Sequence, residues 1–327
     1  MAPVSSVTFD IHLDDQDLHV ALERDVRAGL AATPKSIPPT WFYDEAGSQI
    51  FDEITRLPEY YPTRAERALL TRHSGEIAHV SGADTLVELG AGSCGKTRLL
   101  LDAFAAEGSL RRYVPFDVSA AFLEDAATAI ADEYPGLQVH AVVGDFRRHL
   151  GAIPATGRRV VAFLGGTIGN LVPTQRARFF RALGTTMSPD DRFLVGSDLV
   201  KERRRIVAAY DDAAGVTARF NRNVLFVLNR ELDADFVPDL FEHVVRWDED
   251  ERWIEMRLRS RTDHDVALRR LQMSVRFAAG EEMLTEISAK FTPEGIAAEL
   301  ERAGFTPERQ WGASAGEFLL TLARPRP

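Results

Sequence analysis

The residues best suited to bind a cofactor form a glycine-rich turn near residue 90. The chain there reads Leu-Val-Glu-Leu, typical of a strand, then Gly-Ala-Gly-Ser-Cys-Gly, and then a helical stretch. The spacing of Gly90, Gly92 and Gly95 suits a close backbone approach to a ligand and is also compatible with a dinucleotide. Lys96 lacks the glycine spacing of a phosphate-binding loop. Glu88 favours S-adenosylmethionine, because methyltransferases characteristically carry an acidic residue there and this cofactor has no pyrophosphate group.

Two further acidic residues end predicted strands, at the edge where an open α/β sheet binds its ligand. Asp117 ends the second strand and is placed to accept hydrogen bonds from ribose hydroxyls. Asp145 ends the third strand and is followed by Phe146, so that an acceptor and an aromatic ring suit the adenine amine and ring face. Each carboxylate alone is also compatible with a capping role, but their occurrence in this order favours a cofactor site. The other candidate cofactor-binding residues are Lys96, Gly165 and Thr167.

Alternating strands and helices must position these residues. Five β-rich runs, each followed by a helical stretch, indicate parallel strands joined by crossover helices. One more helix is framed by Thr292 as N-cap, Pro293 at its first position and Gly304 beyond its end. The sequence therefore predicts an α/β fold with a doubly wound, Rossmann-like sheet. The predicted strands are 85–89, 113–117, 137–144, 159–164, 192–197 and 317–323.

Two blocks do not follow this alternation and predict a second, α+β domain that binds the substrate. The first holds proline-rich irregular segments, after which Thr63 and Glu66 have the spacing of a capping box. The second combines two helical stretches with β-like runs at 241–247, 253–259 and 271–277. The acidic stretch Asp-Glu-Asp-Glu between the first two runs predicts a solvated hairpin turn. The predicted domains are 62–198 with 288–327 for S-adenosylmethionine, and 1–61 with 199–287 for the substrate.

Composition argues against several classes of function. The 327 residues are 45% hydrophobic and carry a formal net charge of −10, which disfavours nucleic acid because phosphate binding depends on Lys and Arg. The longest apolar run, 160–164, is far too short to span a bilayer, and the acidic N-terminus does not fit a secretory signal. We therefore expect a cytoplasmic protein with no membrane partner. The single cysteine, Cys94, excludes an internal disulfide, and the eight scattered histidines predict no metal site.

Four longer segments resemble one specific family. They are similar to segments of the histidine-specific N-alpha-methyltransferases of ergothioneine biosynthesis, and the similarity extends from about residue 21 to residue 323. The dipeptide Cys94-Gly95 departs from the family, which has a small polar and then an acidic residue there. The four segments are 57–64 (LPEYYPTR), 163–171 (FLGGTIGNL), 209–217 (AYDDAAGVT) and 280–288 (GEEMLTEIS).

The resemblance implies both the reaction and the residues that bind the substrate. Three methyl transfers from S-adenosylmethionine to the α-amino nitrogen of L-histidine would give hercynine, its trimethylammonium betaine. By resemblance, Asn170 and Tyr210 hold the carboxylate as neutral donors, whereas Glu286 and Ser288 bind the two imidazole nitrogens. A charge-assisted hydrogen bond contributes about 1.5 to 3 kcal/mol, so Glu286 is the candidate for selecting histidine. Without the family pattern, Asn170 is more simply a turn residue and Glu286 an exposed charge.

Aromatic residues and a methionine complete the predicted pocket. Tyr43 and Phe51 line its amine and ring ends, and Tyr60 contacts cofactor, substrate or both. Met256 forms an adaptable apolar wall, although core packing explains Phe51 and Met256 equally well. The transfer is an in-line displacement by a neutral amine, so catalysis depends mainly on positioning. Tyr43 is the candidate catalytic residue, because its hydroxyl can orient the amine lone pair while protons leave through water.

Three other functions are compatible with parts of the sequence. The nearest is a methyltransferase of another amino acid such as tryptophan, which a carboxylate paired with a hydroxyl disfavours. A nicotinamide-dependent oxidoreductase fits the glycine-rich turn, but the chain lacks an obvious hydride-transfer constellation. A non-catalytic cofactor-sensing protein is disfavoured by the large second domain. Nothing indicates an obligate partner, so we expect a monomer whose partner is the small molecule L-histidine.

Overall fold

An eight-stranded, mostly parallel sheet is the largest element of the fold. The computed structural model describes residues 6–92, 95–313 and 316–326, and these form thirteen strands and nine α-helices. The strands are β1 (Ser6–Ile11), β2 (Thr85–Leu89), β3 (Arg112–Asp117), β4 (Gln138–Val143), β5 (Arg159–Phe163), β6 (Arg192–Asp198), β7 (Phe241–Asp248), β8 (Trp253–Ser260), β9 (His264–Leu268), β10 (Met273–Phe277), β11 (Glu282–Ala289), β12 (Phe305–Gly312) and β13 (Phe318–Pro325). The helices are α1 (Asp15–Ala31), α2 (Glu45–Arg56), α3 (Tyr61–Ser81), α4 (Thr97–Ala106), α5 (Ala120–Glu133), α6 (Pro173–Thr186), α7 (Arg203–Tyr210), α8 (Val216–Leu232) and α9 (Pro293–Arg302).

The chain divides into two compact units. The first, called the sheet unit here, contains the described residues up to Asp14, Ala65–Leu199 and the described residues from Phe291. The second, called the insertion unit, contains Asp15–Arg64 and Val200–Lys290. The boundaries after Arg64, Leu199 and Lys290 lie within three residues of the predicted boundaries after residues 61, 198 and 287.

The order of strands in the sheet unit is β1-β4-β3-β2-β5-β6-β13-β12. The first six strands pair in parallel, and β13 and β12 are antiparallel additions at one side. This order confirms the predicted doubly wound α/β sheet. Because the chain builds outward from β2 first to one side and then to the other, the carboxyl ends of β2 and β5 flank the point where such sheets bind ligands.

The sequences of the central strands explain why they lie in the middle of the sheet. Every residue of β2 and of β5 is buried, and both strands are dominated by Leu, Val and Phe. Such continuous apolar runs are typical of parallel strands that helices cover on both faces. The helices contribute apolar side chains such as Leu100, Phe104 and Ile130 to the same core.

The N-terminal segment differs from the sequence-based expectation. Residues 1–61 are expected in the substrate domain, yet β1 pairs in parallel with β4 over six residues, so the described residues up to Asp14 belong to the sheet unit, whereas the following residues belong to the insertion unit. A short, alternating edge strand at a chain end carries little signal of its partner. The predicted capping box is also wrong, because α3 begins at Tyr61, two residues before Thr63.

The insertion unit has an α+β architecture. Its antiparallel sheet has the order β11-β8-β7, and β9 and β10 form a separate hairpin. The acidic turn between β7 and β8 is confirmed: the carboxylate of Asp248 accepts hydrogen bonds from the backbone of Asp250 at 3.0 Å and Glu251 at 2.9 Å. Buried residues from helices and strands, including Phe42, Phe220 and Met256, form the core of this unit.

Candidate active site

The glycine-rich turn after β2 has the backbone conformation that its sequence predicts. Gly90 and Gly92 adopt φ values of +70° and +49°, which side-chain-bearing residues rarely adopt. The Gly90 N–H donates to the Phe116 carbonyl at 2.8 Å, so the turn is bound to the end of β3. Cys94 and its neighbour Ser93 lie outside the described residues.

Glu88 is a buried residue of β2, two positions before Gly90, and its hydrogen bonds are made within the protein. Its carboxyl group is 4% exposed and accepts hydrogen bonds from Thr97 Oγ1 and, at 2.9 Å, from the Tyr113 hydroxyl. Burial raises the pKa of Glu88 to about 7, although both hydrogen bonds oppose this change. The residue thus ties β2 to β3 and to α4, and its assignment to cofactor binding stays a prediction.

The two acidic residues at the next strand ends differ in their surroundings. Asp117 accepts hydrogen bonds from the backbone of Gly92 at 3.1 Å and Ser119 at 3.2 Å, and burial raises its pKa. Asp145 forms an ion pair with Arg147, whose Nη2 donates to Asp145 Oδ2 at 2.9 Å. This ion pair was not expected from the sequence. Asp117 therefore fixes the glycine-rich turn from the β3 side.

Phe146 and Thr167 have well-defined internal partners. The ring of Phe146 packs edge-on against Phe163, with centroids 5.0 Å apart. Thr167 begins the 3₁₀ turn Thr167–Asn170, and its hydroxyl donates to the Leu164 carbonyl at 3.0 Å. Asn170 ends this turn and is partly buried. Asn170 belongs to the sheet unit, whereas the other residues predicted to bind the substrate belong to the insertion unit.

Glu66 is a buried carboxylate whose role sequence reasoning missed. It is 0% exposed and accepts hydrogen bonds from the Gly165 backbone, at 2.8 and 2.9 Å, and from Lys96 Nζ. Glu66 therefore joins the segment after β5 to the end of the glycine-rich turn. A signal was available: Glu66 falls on the same helical face as Leu69 and Leu70, where a charge is unusual.

In the insertion unit, three polar residues form a buried cluster. The Tyr210 hydroxyl donates to Ser288 Oγ at 2.8 Å, and Lys290 Nζ donates to both oxygens, at 2.9 Å and 2.7 Å respectively. Lys290 was not predicted as a site residue. Donation from Tyr210 to a carboxylate would require its hydroxyl to turn away from Ser288.

Glu286 and Ser288 lie on one face of β11, opposite two apolar residues of β8. Glu286 pairs with Met256 and Ser288 pairs with Ile254, and the two polar residues are 9% and 6% exposed. The pairing register shifts between Leu284 and Glu286, which marks a β-bulge. Met256 is thus both a core residue and the cross-strand neighbour of Glu286.

A hydrogen-bonded network links this bulge to Tyr210. Thr285 Oγ1 lies 2.7 Å from Asn221 Oδ1, and Asn221 Nδ2 donates to His243 Nδ1 at 2.9 Å. His243 Nε2 donates to the Tyr210 carbonyl at 2.9 Å. Burial lowers the pKa of His243, which favours the neutral ring that this pattern requires. Asn221, His243 and Thr285 were not identified from the sequence, since scattered polar residues carry no pairing signal.

The aromatic candidates form a chain of edge-to-face contacts. Tyr43 contacts Phe51 at 5.5 Å, Phe51 contacts Tyr60 at 6.1 Å, and Tyr60 contacts Tyr210 at 6.2 Å between ring centroids. The structure thus brings four of the predicted residues together. It adds Phe220, 5.4 Å from Tyr43.

The backbone around Tyr43 is held on both sides. Asn223 Nδ2 donates to the Phe42 carbonyl at 3.2 Å and to Asp44 Oδ1 at 2.7 Å. A Cβ atom on Gly47 would lie 1.7 Å from the same carbonyl, so only glycine allows this approach. The Tyr43 side chain is 44% exposed. Its hydroxyl therefore extends from a fixed backbone.

The described part of the chain contains no helix that is long and apolar enough to cross a membrane. Over the same residues, no group of three or more His, Cys, Asp or Glu side chains is arranged to hold a metal ion. An open groove beside α7, lined by residues such as Arg203, Val207 and Trp247, includes none of the predicted site residues.

Comparison with known proteins identifies the family. A relative from Mycolicibacterium smegmatis, a histidine N-alpha-methyltransferase, is 59% identical over 93% of this chain and 94% of its own length. The protein of the same name from Mycobacterium tuberculosis is 56% identical over 95% and 97%. Ergothioneine biosynthesis protein 1 of Schizosaccharomyces pombe is 31% identical over 63% of this chain and 28% of that protein. The family model for histidine-specific, S-adenosylmethionine-dependent methyltransferases matches residues 22–325, and this chain belongs to that family.

Proposed function

We propose that this enzyme transfers three methyl groups from S-adenosylmethionine to the α-amino nitrogen of free L-histidine and so makes hercynine in ergothioneine biosynthesis. The observation that carries the proposal is the buried pair Glu286 and Ser288, two residues apart on one face of β11. A carboxylate beside a hydroxyl is complementary to the two nitrogens of an imidazole. An indole has a single N–H, so it would leave one of these groups unsatisfied. The relatives support the same substrate.

The glycine-rich turn and its surroundings fit S-adenosylmethionine. Among the described residues, no atom lies within 4 Å of Cβ atoms added at Gly90 and Gly92, which supports a turn that can accept a ligand on that side. Asp117, whose carboxylate faces the turn, would accept hydrogen bonds from ribose hydroxyls. Phe146 would line the adenine. When bound, S-adenosylmethionine supplies a sulfonium methyl group as the electrophile.

The other predicted cofactor contacts support the same site. Lys96 and Gly165 are both bound to the buried Glu66, which fixes the end of the turn relative to the segment after β5. Thr167 lies at the start of the next 3₁₀ turn. We propose that these residues, with Glu88 beneath the turn, hold the methionine end of the cofactor.

Histidine would be bound through its carboxylate, its ring and its amine. We propose Asn170 and Tyr210 for the carboxylate, because both are neutral donors that do not oppose the positive charge gained on nitrogen. Phe51, Tyr60 and Met256 would supply the apolar walls. The ring contacts of Phe51 and Tyr60 restrict the rotamers of these two side chains and would preorganise the site.

The amine must be neutral to attack the methyl group. An α-amino group has a pKa near 8 and is mostly protonated at pH 7, and each of the first two products forms as an ammonium ion, so one proton must leave before each of the three transfers. The Tyr43 hydroxyl, on its fixed backbone, is the proposed group that orients the amine lone pair. Positioning of this kind can contribute up to about 7 to 11 kcal/mol, and no covalent intermediate is needed.

The experiment that tests the function is mass spectrometry of an equimolar mixture of the proteinogenic amino acids after incubation with S-adenosylmethionine and the enzyme. We expect histidine alone to gain up to three methyl groups. Glu286→Gln should lower kcat/KM for histidine about 10- to 150-fold, the equivalent of one charge-assisted hydrogen bond. Glu282→Gln, on the same strand but paired with Arg246 and Arg259, is the matched control and should retain activity. Methylation of a different amino acid would refute the proposed substrate.

We further propose that the protein acts as a monomer in the cytoplasm, independently of nucleic acid. The net charge of −10 supports the last point, because it disfavours binding to phosphate backbones. Light scattering after size exclusion should give the mass of one chain. A concentration-independent mass of two chains would contradict the monomer.

A further inference from the structure

Arg176 is a buried arginine near the start of α6, and a carboxylate holds its guanidinium group. Its side chain is 7% exposed. Nε and Nη2 donate to the two carboxylate oxygens of Glu299, a residue of α9, both at 2.7 Å. The backbone N–H of Arg176 donates to the Val172 carbonyl at 2.9 Å, which fixes the base of the side chain. Because the contact with Glu299 is bidentate, it fixes the plane of the guanidinium group and so the direction of the third nitrogen.

This third nitrogen contacts the backbone directly after Asn170. Arg176 Nη1 donates to the Leu171 carbonyl at 2.7 Å. Leu171 follows the 3₁₀ turn Thr167–Asn170, and the backbone hydrogen bond at this end of the turn, from the Leu171 N–H to the Ile168 carbonyl, is long at 3.3 Å. Arg176 therefore adds a short hydrogen bond at a point where the backbone hydrogen bond is weak.

The ion pair of Arg176 and Glu299 packs against an aromatic ring. The guanidinium carbon lies 5.0 Å from the centre of the Phe291 ring, and Phe291 is 5% exposed. The Phe291 N–H donates to the Asp198 carbonyl at the end of β6, at 2.8 Å. The carboxylate of Glu299 compensates the charge of Arg176. What Arg176 supplies to Leu171 is therefore a directed N–H group rather than a net positive charge.

We propose that Arg176 is a positioning residue for Asn170: by holding the Leu171 carbonyl, it fixes the backbone from which Asn170 presents its amide to the carboxylate of histidine. The inference rests on the proposed function, in which Asn170 binds that carboxylate. Displacement of a binding group by about 1 Å can reduce a rate about a hundredfold. An interior ion pair contributes little net stability, because desolvation offsets its attraction, so positioning is the expected gain from this pair.

The two ends of the segment after β5 are held by different groups. The buried carboxylate of Glu66 accepts from the Gly165 N–H at 2.8 Å at the start of the segment, whereas Arg176 holds Leu171 at its end. The proposed cofactor contacts of this segment, Gly165 and Thr167, lie toward the start. Removal of Arg176 should therefore weaken the binding of histidine and leave the affinity for S-adenosylmethionine almost unchanged.

The test is a double-mutant cycle on the dissociation constant of histidine, measured by calorimetry with S-adenosylhomocysteine present so that no turnover occurs. Arg176→Met should raise this constant about 3- to 10-fold, the effect of one hydrogen bond. Asn170→Ala should raise it about tenfold or more, because a hydrogen bond to a charged group is lost. In the Asn170→Ala background, Arg176→Met should add less than about twofold, because the amide through which Arg176 acts is gone.

Further measurements separate positioning from a general loss of packing. Arg192→Met removes an arginine at the opposite, amino end of β6 that pairs with Glu308 at 2.6 Å, and it should leave the affinity for histidine unchanged. If Arg176→Met does not fold, Arg176→Met combined with Glu299→Gln takes its place, because that pair leaves no unpaired carboxylate. The affinity for S-adenosylmethionine, also measured by calorimetry, should change less than about twofold in each Arg176 variant.

The outcomes distinguish the inference from the function on which it rests. If Arg176→Met weakens histidine binding as much without the Asn170 amide as with it, its role is structural and the inference is overturned. An equal loss of affinity for S-adenosylmethionine overturns it as well, and so does an unchanged affinity for histidine in Arg176→Met or in Asn170→Ala. A wild-type enzyme that neither binds nor methylates histidine instead refutes the proposed function.

Discussion

Glu88 should make the stability of the sheet unit depend on pH. Burial raises its pKa from an ordinary 4.5 to about 7, against the hydrogen bonds from Thr97 and Tyr113. A raised carboxyl pKa means that the folded state binds the proton more tightly, so this contribution is complete below pH 4.5 and is lost as pH rises through about 7. Since tenfold in proton affinity equals about 1.4 kcal/mol, the loss between pH 5 and pH 8 is about 2 to 3 kcal/mol.

Glu88→Gln isolates this contribution, because glutamine keeps the shape and an acceptor oxygen but cannot ionise. Urea unfolding followed by circular dichroism at pH 5, 6.5 and 8 gives the free energy of unfolding for both proteins. We expect the variant to gain about 2 to 3 kcal/mol relative to wild type between pH 5 and pH 8. Glu133→Gln is the control: its pKa is lowered by Arg98 at the surface, so no such gain should appear. Parallel pH profiles for wild type and Glu88→Gln would refute the reasoning.

Three further predictions concern other contacts. Asp191→Ala leaves Arg159 as an unpaired buried charge and should destabilise the protein by about 3 to 5 kcal/mol in urea unfolding; a loss below 1 kcal/mol would contradict this. Asn221→Leu removes the partner of His243 and Thr285, so KM for histidine should rise with little change in cofactor affinity, measured by calorimetry. Tyr43→Phe should slow the transfers about two- to tenfold, the value of one hydrogen bond, and unchanged single-turnover rates would exclude its role.

The central sheet could be predicted because its strands are buried on both faces. The predicted strands 85–89 and 159–164 agree with β2 and β5 to within one residue, since continuous apolar runs between turns have few alternatives. The strands at the edges of the sheet were harder to predict from the sequence. β1 has only six residues and β12 contains a proline and a polar run, and their partners β4 and β13 are set by tertiary packing that a sequence does not display.

The candidate site also contains residues that could be recognised from the sequence and residues that could not. Glycines such as Gly90 could be recognised because positive φ angles restrict the residue type. Glu66 and Lys290 could not be assigned, although both are buried charges with defined partners. The apolar helical face indicates that Glu66 is buried, but no local pattern identifies Gly165, 99 residues further along the chain, as its backbone donor. Long-range polar pairing is therefore the part of the site that required a structure.

The bulge in β11 shows how a single extra residue decides on which face of the strand Glu286 and Ser288 lie. Leu284 pairs with Arg257, yet Glu286 pairs with Met256, the adjacent residue of β8. In an uninterrupted ladder Glu286 would pair with Glu255 and lie on the same face as Arg257, because a one-residue slip moves a side chain to the other face. Thr285 is the extra residue, and its hydroxyl lies 2.7 Å from Asn221 Oδ1 and 2.9 Å from the Met256 carbonyl. The bulge and the network of Asn221 thus place Glu286 and Ser288 on the same face as Met256, so the proposed selection of an imidazole would depend on residues beyond those that bind the ring.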